Sequence, residues 1–305
     1  MLKMSLIFIN ALLVLFFSIT LIAADRKAGP VQKPIMHPVK RNQPITSEDI
    51  GLQLGFKFSE RYSIQAEQQD NGTRAEYFTH EFIPTLKTTN YVFNATFDFY
   101  DYYKTPEASK WDNTQFDAAL NNPWDTEYFK FTPMAIAIAP LFKKESEVSF
   151  QYAAGGRLTA ALKSKELDIP NFIFKYGWQV LKFGQKLKFQ EDPKTGLPLL
   201  DASGEKQFNT DFRLRQRFHL GYKLTEKLLA FMYFHYDSNF LFEGTVRNGF
   251  YHETFLEYAI NENIAINLGT SNGGGVFVGD YQEKDNLKFY SKESSQYFAG
   301  LGMSF

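Results

Sequence analysis

The chain contains no cysteine in its 305 residues. That absence excludes disulfides, zinc–thiolate sites and thiol nucleophiles. An excess of one charge sign is also missing. With 33 Lys and Arg against 34 Asp and Glu, the formal net charge is -1. A nucleic-acid binder would normally be strongly basic, so nucleic acid is not an expected partner. Long apolar runs are missing beyond the first 22 residues, and the mean hydropathy is -0.32. A multi-span helical membrane protein needs several runs of about 20 apolar residues. The chain also lacks a Gly-rich phosphate loop, a nucleophile elbow and a His-Glu-x-x-His motif. No cofactor or metal is expected. What the chain does have is aromatic rings: 32 Phe, 17 Tyr and 3 Trp. That content argues against whole-chain disorder. Aromatic-rich, polar on average and free of cysteine, the composition suits a transmembrane β-barrel, whose polar lumen dilutes an apolar exterior.

The N-terminus reads as a targeting segment. Lys3 is followed by an almost wholly apolar stretch from Ser5 to Ile22, then by small Ala23 and Ala24 and polar Asp25, Arg26 and Lys27. This is the pattern of a secretory signal peptide cut after Ala23 or Ala24. Residues 25–49 hold Pro30, Pro34, Pro38 and Pro44 and five basic residues. Proline at that density prevents regular pairing. Three segments are therefore expected: 1–24 as signal peptide, 25–49 as a flexible tail and 50–305 as a barrel.

From residue 50 the hydrophobic period is two, as expected of strands with one face in lipid and one in a polar lumen. Leu52, Leu54, Phe56, Phe58, Tyr62 and Ile64 share one parity; Lys57, Ser59, Arg61 and Ser63 share the other. The same alternation recurs at Tyr91–Phe99, Val148–Leu162, Phe172–Val180 and Phe212–Tyr222. Short connections near Thr88–Asn90, Leu141–Glu145, Leu224–Lys227 and Ile260–Asn263 alternate with longer ones over 68–75, 104–126, 163–170, 190–206, 241–248 and 272–293. Short turns on one side and long loops on the other mark an antiparallel outer-membrane barrel. Keeping this alternation throughout requires Asn171–Phe189 to be two strands. The apolar parity does switch there, from even at Val180 to odd at Leu181, Phe183, Leu187 and Phe189. The expected architecture is all-β, an antiparallel transmembrane barrel of 12 strands, with 10 or 14 as alternatives.

The last residues carry a family resemblance. Tyr297, Ala299, Leu301, Met303 and Phe305 occupy alternate positions, and the sequence ends on the aromatic. This is similar to the C-terminal β-signal of bacterial outer-membrane proteins, which the barrel-assembly machinery reads. The resemblance implies residence in the bacterial outer membrane, with lipid and that machinery as partners. It identifies no subfamily.

Two readings of chemistry follow. Lys175, then Lys182, Lys186 and Lys188, then Arg213, Arg215, Arg217 and His219 fall on the inner parity of strands expected to be neighbours. Like charges at alternate positions repel, so a wet lumen or acidic partners must relieve them. Glu253 and Glu257 are candidate acidic pore-lining partners. The acidic and aromatic loop over 104–126, with Glu107, Asp112, Asp117, Asp125, Trp111 and Trp124, is another candidate and could narrow the pore. The expected function is a porin-type channel for small solutes that favours anions, with a closed interaction barrel acting through its loops as the alternative. The second reading is a barrel lipid hydrolase. The chain resembles outer-membrane phospholipase A in expected strand number. That family carries a His-x-Ser pair, whereas His235-Tyr236-Asp237-Ser238 puts His and Ser on opposite faces. Ser238 could instead fall opposite His252 across a hairpin. No orienting carboxylate accompanies them, and no catalytic residue is assigned.

Overall fold

The computed structural model describes residues 52–66, 74–103, 110–121, 124–141, 150–192, 195–200, 204–274 and 295–305. The expected signal peptide and tail lie outside them, as do Glu107 and much of several long connections. The described strands are β1 (Gln53–Gln65), β2 (Glu76–Lys87), β3 (Tyr91–Tyr102), β4 (Lys110–Trp111), β5 (Thr114–Leu120), β6 (Trp124–Asp125), β7 (Phe129–Ala139), β8 (Phe150–Leu162), β9 (Phe172–Gln185), β10 (Thr210–Lys223), β11 (Leu228–Leu241), β12 (Val246–Ala259), β13 (Ile264–Gly274) and β14 (Gln296–Ser304). β4 and β6 are two-residue pairings. The other twelve pair antiparallel, each with its neighbour in sequence. β14 returns to β1 from Lys57↔Ser304 to Gln65↔Gln296 and closes the ring. Phe305 seals the seam at the turn end, exchanging two backbone hydrogen bonds with Phe56.

Closure follows from the alternation. A sheet with one apolar face and one polar face, and no free edge, leaves no backbone group unpaired toward lipid. Leu54, Phe56, Phe58 and Tyr62 sit on one face of β1 and pair with Leu86, Pro84, Phe82 and Phe78 on β2. Phe212, Leu214, Phe218 and Tyr222 share the equivalent face of β10. Many of these rings and chains are exposed, Leu54 at 81% and Leu268 at 67%. That is the outer surface. The opposite parity converges on a partly open cavity lined by Arg61, Asp98, Arg215, Asp237 and Glu253, from β1, β3, β10, β11 and β12.

The strand number matches expectation, but one strand was misplaced. Asn171–Phe189 is not two strands. β9 runs unbroken from Phe172 to Gln185, and its register with β10 is continuous from Tyr222↔Phe172 to Phe212↔Lys182. The parity switch has another cause. Leu181 and Phe183 face inward and pack with Ile136 and Ala153, with Met134, Ile138 and Phe150 against them. Part of the lumen is therefore apolar, which reverses the usual inward-polar rule. The twelfth strand is β5, inside the expected long loop 104–126. It pairs with β3 at Phe93↔Ala118 and with β7 at Phe116↔Ala137. Adding a strand at β5 and removing one at β9 exchanges the two ends in between. The 163–171 connection, which includes a 3-10 turn (Ser164–Leu167), lies on the turn end beside residues 126–128. β7 ends and β8 begins at the other end of the barrel.

One glycine marks a close approach. A Cβ on Gly155 of β8 would collide with the Val180 carbonyl of β9, so these strands meet closely only because the side chain is missing.

Candidate functional site

The lumen is built by the inward parity. On β10 this places Arg213, Arg215, Arg217 and His219 on one stripe, about 7 Å apart along the strand. Opposite them on β11 stand Asn239, Asp237, His235 and Tyr233, in direct register. On the other side, β9 offers Leu181, Gln179, Gly177 and Lys175. Gln179 lies between Arg215 on β10 and Arg157 on β8.

The guanidinium groups are paired unequally. Arg215 is clamped by Asp237, with Nε to Oδ1 and Nη2 to Oδ2 both at 2.6 Å. Bidentate Arg–carboxylate pairing fixes both planes. Asp237 is fully buried, and the same carboxylate stands 3.9 Å from Arg213. Arg213 donates Nε to Asn239 Oδ1 at 2.7 Å, and its guanidinium lies 5.0 Å from the Phe183 ring centre. Arg157 donates to Met134 Sδ at 2.7 Å. Among the described residues no carboxylate lies within 4 Å of Arg157 or Arg217. Four guanidinium groups thus share one close carboxylate. His219 packs against Tyr233 with the rings tilted by 57° and their centres 4.8 Å apart, and faces Lys175.

About half the ring away the sign reverses. Glu81 of β2 and Asp98 of β3 are register partners on the inward face. Ser59 donates to Glu81 at 2.9 Å, and Lys57 Nζ stands 4.0 Å from it. Asp117 of β5 also faces inward and receives Gln115. A third cluster joins strands not adjacent in the ring. Arg61 of β1 lies over the Phe298 ring of β14 at 3.5 Å and reaches Glu253 of β12, which Tyr251 also contacts. Between the basic and acidic arcs lies a cavity of about 750 Å3.

The expected pore-lining residues divide into two sets. Lys175, Arg213, Arg215, Arg217, His219, Glu253 and Glu257 lie on inward positions. Lys182, Lys186 and Lys188 do not form part of the basic wall. Lys182 pairs in register with outward Ala154 and Phe212, and its ammonium contacts Asp211 at 2.5 Å. Lys186 and Lys188 lie beyond the end of β9, exposed on the connection to β10. The error follows from splitting β9, which reversed the assumed parity after Val180. The 104–126 segment does not fold inward as one loop, because β5 is wall. Trp111 pairs with outward Phe99, and Trp124 sits at the opposite end of the barrel. The C-terminal residues Tyr297, Leu301 and Met303 lie on the outward face of β14, and Phe305 is 73% exposed at its end.

Sequence reasoning did not bring out the role of three lumen residues. Arg157 and Asp237 have the right parity, but their significance depends on which strands are neighbours. Arg61 could not be matched to Glu253 without the ring. For the hydrolase reading, the register places Ser238 opposite Asn248, and His252 opposite Phe234. Ser238 and His252 are thus four residues out of register, about 13 Å along the strand.

No family model matches the chain, and no curated protein matches it. Solved structures do. The NanC porin is similar with a TM-score of 0.50 and 10% identity, over 81% of this chain and 98% of that one. An outer-membrane channel from Pseudomonas putida F1 is similar with a TM-score of 0.51 and 8% identity, over 83% of this chain and 95% of that one. At such identity the likeness speaks for the fold. The protein is, in architecture, a closed antiparallel β-barrel of the kind found among bacterial outer-membrane porins and channels.

Proposed function

We propose that the protein is a bacterial outer-membrane channel for small solutes, with a preference for anions, and that it performs no catalysis. The apolar outward face supports membrane residence, and the polar cavity in the lumen supports passage. One observation carries the anion preference: four guanidinium groups on one wall share one close carboxylate. Clustered cations on a low-dielectric wall raise the local anion concentration. Arg157 and Arg217 supply the unpaired charge, while Arg213 and Arg215 largely hold Asp237. The separation of Ser238 from His252 supports the non-enzymatic reading.

The test is single-channel recording of the Arg157→Gln, Arg217→Gln double variant. The expected result is a folded, conducting channel whose reversal potential in a KCl gradient moves toward cations. The shift should be largest at low salt, where screening is weakest. An unmoved reversal potential would place the basic wall off the conducting path. The apolar cluster around Leu181 and Phe183 favours a second reading, a closed barrel that acts through its loops. Absence of conductance in the parent protein would support it.

A further inference from the structure

The outer wall contains an acid and a base where apolar groups are expected. Glu60 is one residue from the midpoint of β1 and lies on the outward face, between Phe58 and Tyr62 along the strand. Its neighbour across β14 is Leu301. Its neighbour across β2 is His80, which is itself bracketed by Phe78 and Phe82 and faces Phe99 on β3. His80 thus has apolar neighbours above and below, and Glu60 has Phe58 on one side and the ring of Tyr62, whose hydroxyl donates to Glu76 at 3.1 Å, on the other. Ionisable groups at mid-strand depth are costly when they face lipid. Among the described residues, neither side chain has a hydrogen bond or an ion pair. A groove of about 610 Å3 begins at Glu60 and Tyr62 and runs past Ala299 to Leu268, with almost entirely apolar walls.

A lipid headgroup does not reach mid-strand depth, and an acyl chain offers nothing to a carboxylate. The partner that fits is one carrying a base and an acid at the same depth. The patch itself has both, on adjacent strands and in register. We propose that this face is the contact of a two-fold dimer in the membrane, with Glu60 of each copy set against His80 of the other. A two-fold axis along the membrane normal preserves depth, so the pair forms twice in one isologous contact. The apolar groove beside it then receives side chains of the second copy.

The test uses the full-length protein reconstituted in lipid vesicles and in mild detergent. Mass is read by light scattering, and folding by heat-modifiable gel mobility. The parent is expected as a dimer. Glu60→Leu and His80→Leu should each remain folded and lose the dimer. The exchange variant Glu60→His/His80→Glu should recover it, because the reciprocal pair survives the swap. A parent monomeric at all concentrations, or a dimer that survives both single substitutions, overturns the proposal. Because the chain has no cysteine, a cross-linking test is free of background. Phe78→Cys should give a disulfide-linked dimer on mild oxidation, whereas Phe218→Cys, far around the ring, should not. Equal cross-linking at both positions also overturns it.

Discussion

Asp237→Asn is the most informative single perturbation of the lumen. The substitution keeps shape and removes one negative charge. Asp237 is 1% exposed, and its partner Arg215 has 17% of its side chain exposed. Removing one member of a buried, hydrogen-bonded ion pair typically costs about 3–5 kcal/mol, because the other charge is left uncompensated. The lumen cavity touches this pair, and partial hydration favours the lower end, about 3 kcal/mol. That is a large share of a typical stability of about 5–15 kcal/mol. Urea unfolding in lipid vesicles, followed by Trp fluorescence, would measure it. The double variant Asp237→Asn/Arg215→Gln should recover part of the loss, since Arg215 is no longer stranded while Arg213, 3.9 Å from the same carboxylate, still is; the cycle isolates the pair. A second readout has an independent sign. Removing the carboxylate leaves four close guanidinium groups with none, so anion preference should rise. A cost below about 1 kcal/mol, or strictly additive single and double effects, would refute the view that Asp237 holds the basic wall together.

Other consequences are equally specific. Arg213→Gln/Arg215→Gln/Arg217→Gln strands the buried Asp237, so it should unfold in less urea than Arg157→Gln/Arg217→Gln, which leaves the Arg215–Asp237 clamp intact. Gly155→Ala should destabilise by about 1–3 kcal/mol, because the added methyl meets the Val180 carbonyl across the strand pair; unchanged urea midpoints would contradict the close approach. Deleting Phe305 should impair insertion while leaving export intact, because it removes the residue that locks β14 to Phe56 at the seam; normal levels of a heat-modifiable band in the membrane fraction would contradict this. A chain beginning at Ile50 should refold in detergent with an unchanged β-type circular dichroism spectrum, because the wall is closed by β1 and β14 without the earlier residues.

Much of the barrel was legible because a period of two is a local property. The outward sets on β1, β3, β10 and β14 follow directly from it. Arg213, Arg215 and Arg217 could be oriented inward from sequence because facing lipid would cost roughly 2–4 kcal/mol each at the midplane. The failures share one cause. Alternation reports a face only when the lumen is polar, and around Leu181, Phe183, Ile136 and Ala153 it is apolar. That local reversal looked like a turn, split β9 and moved Lys182 to the wrong side. β5 is seven residues long and rich in small Ala118 and Ala119, so its signal was weak enough to pass for loop. The Arg215–Asp237 clamp and the Arg61–Glu253 contact depend on strand order and register, which no single strand contains.

On the proposed function, the unbalanced guanidinium wall lines a conducting path. The most direct measurement is the reversal potential of the parent protein in planar bilayers under a KCl gradient. The expected result is an open channel whose reversal potential has the sign of chloride preference and weakens as salt rises. A reversal potential at zero or of cation sign, or the absence of any conductance, would contradict it.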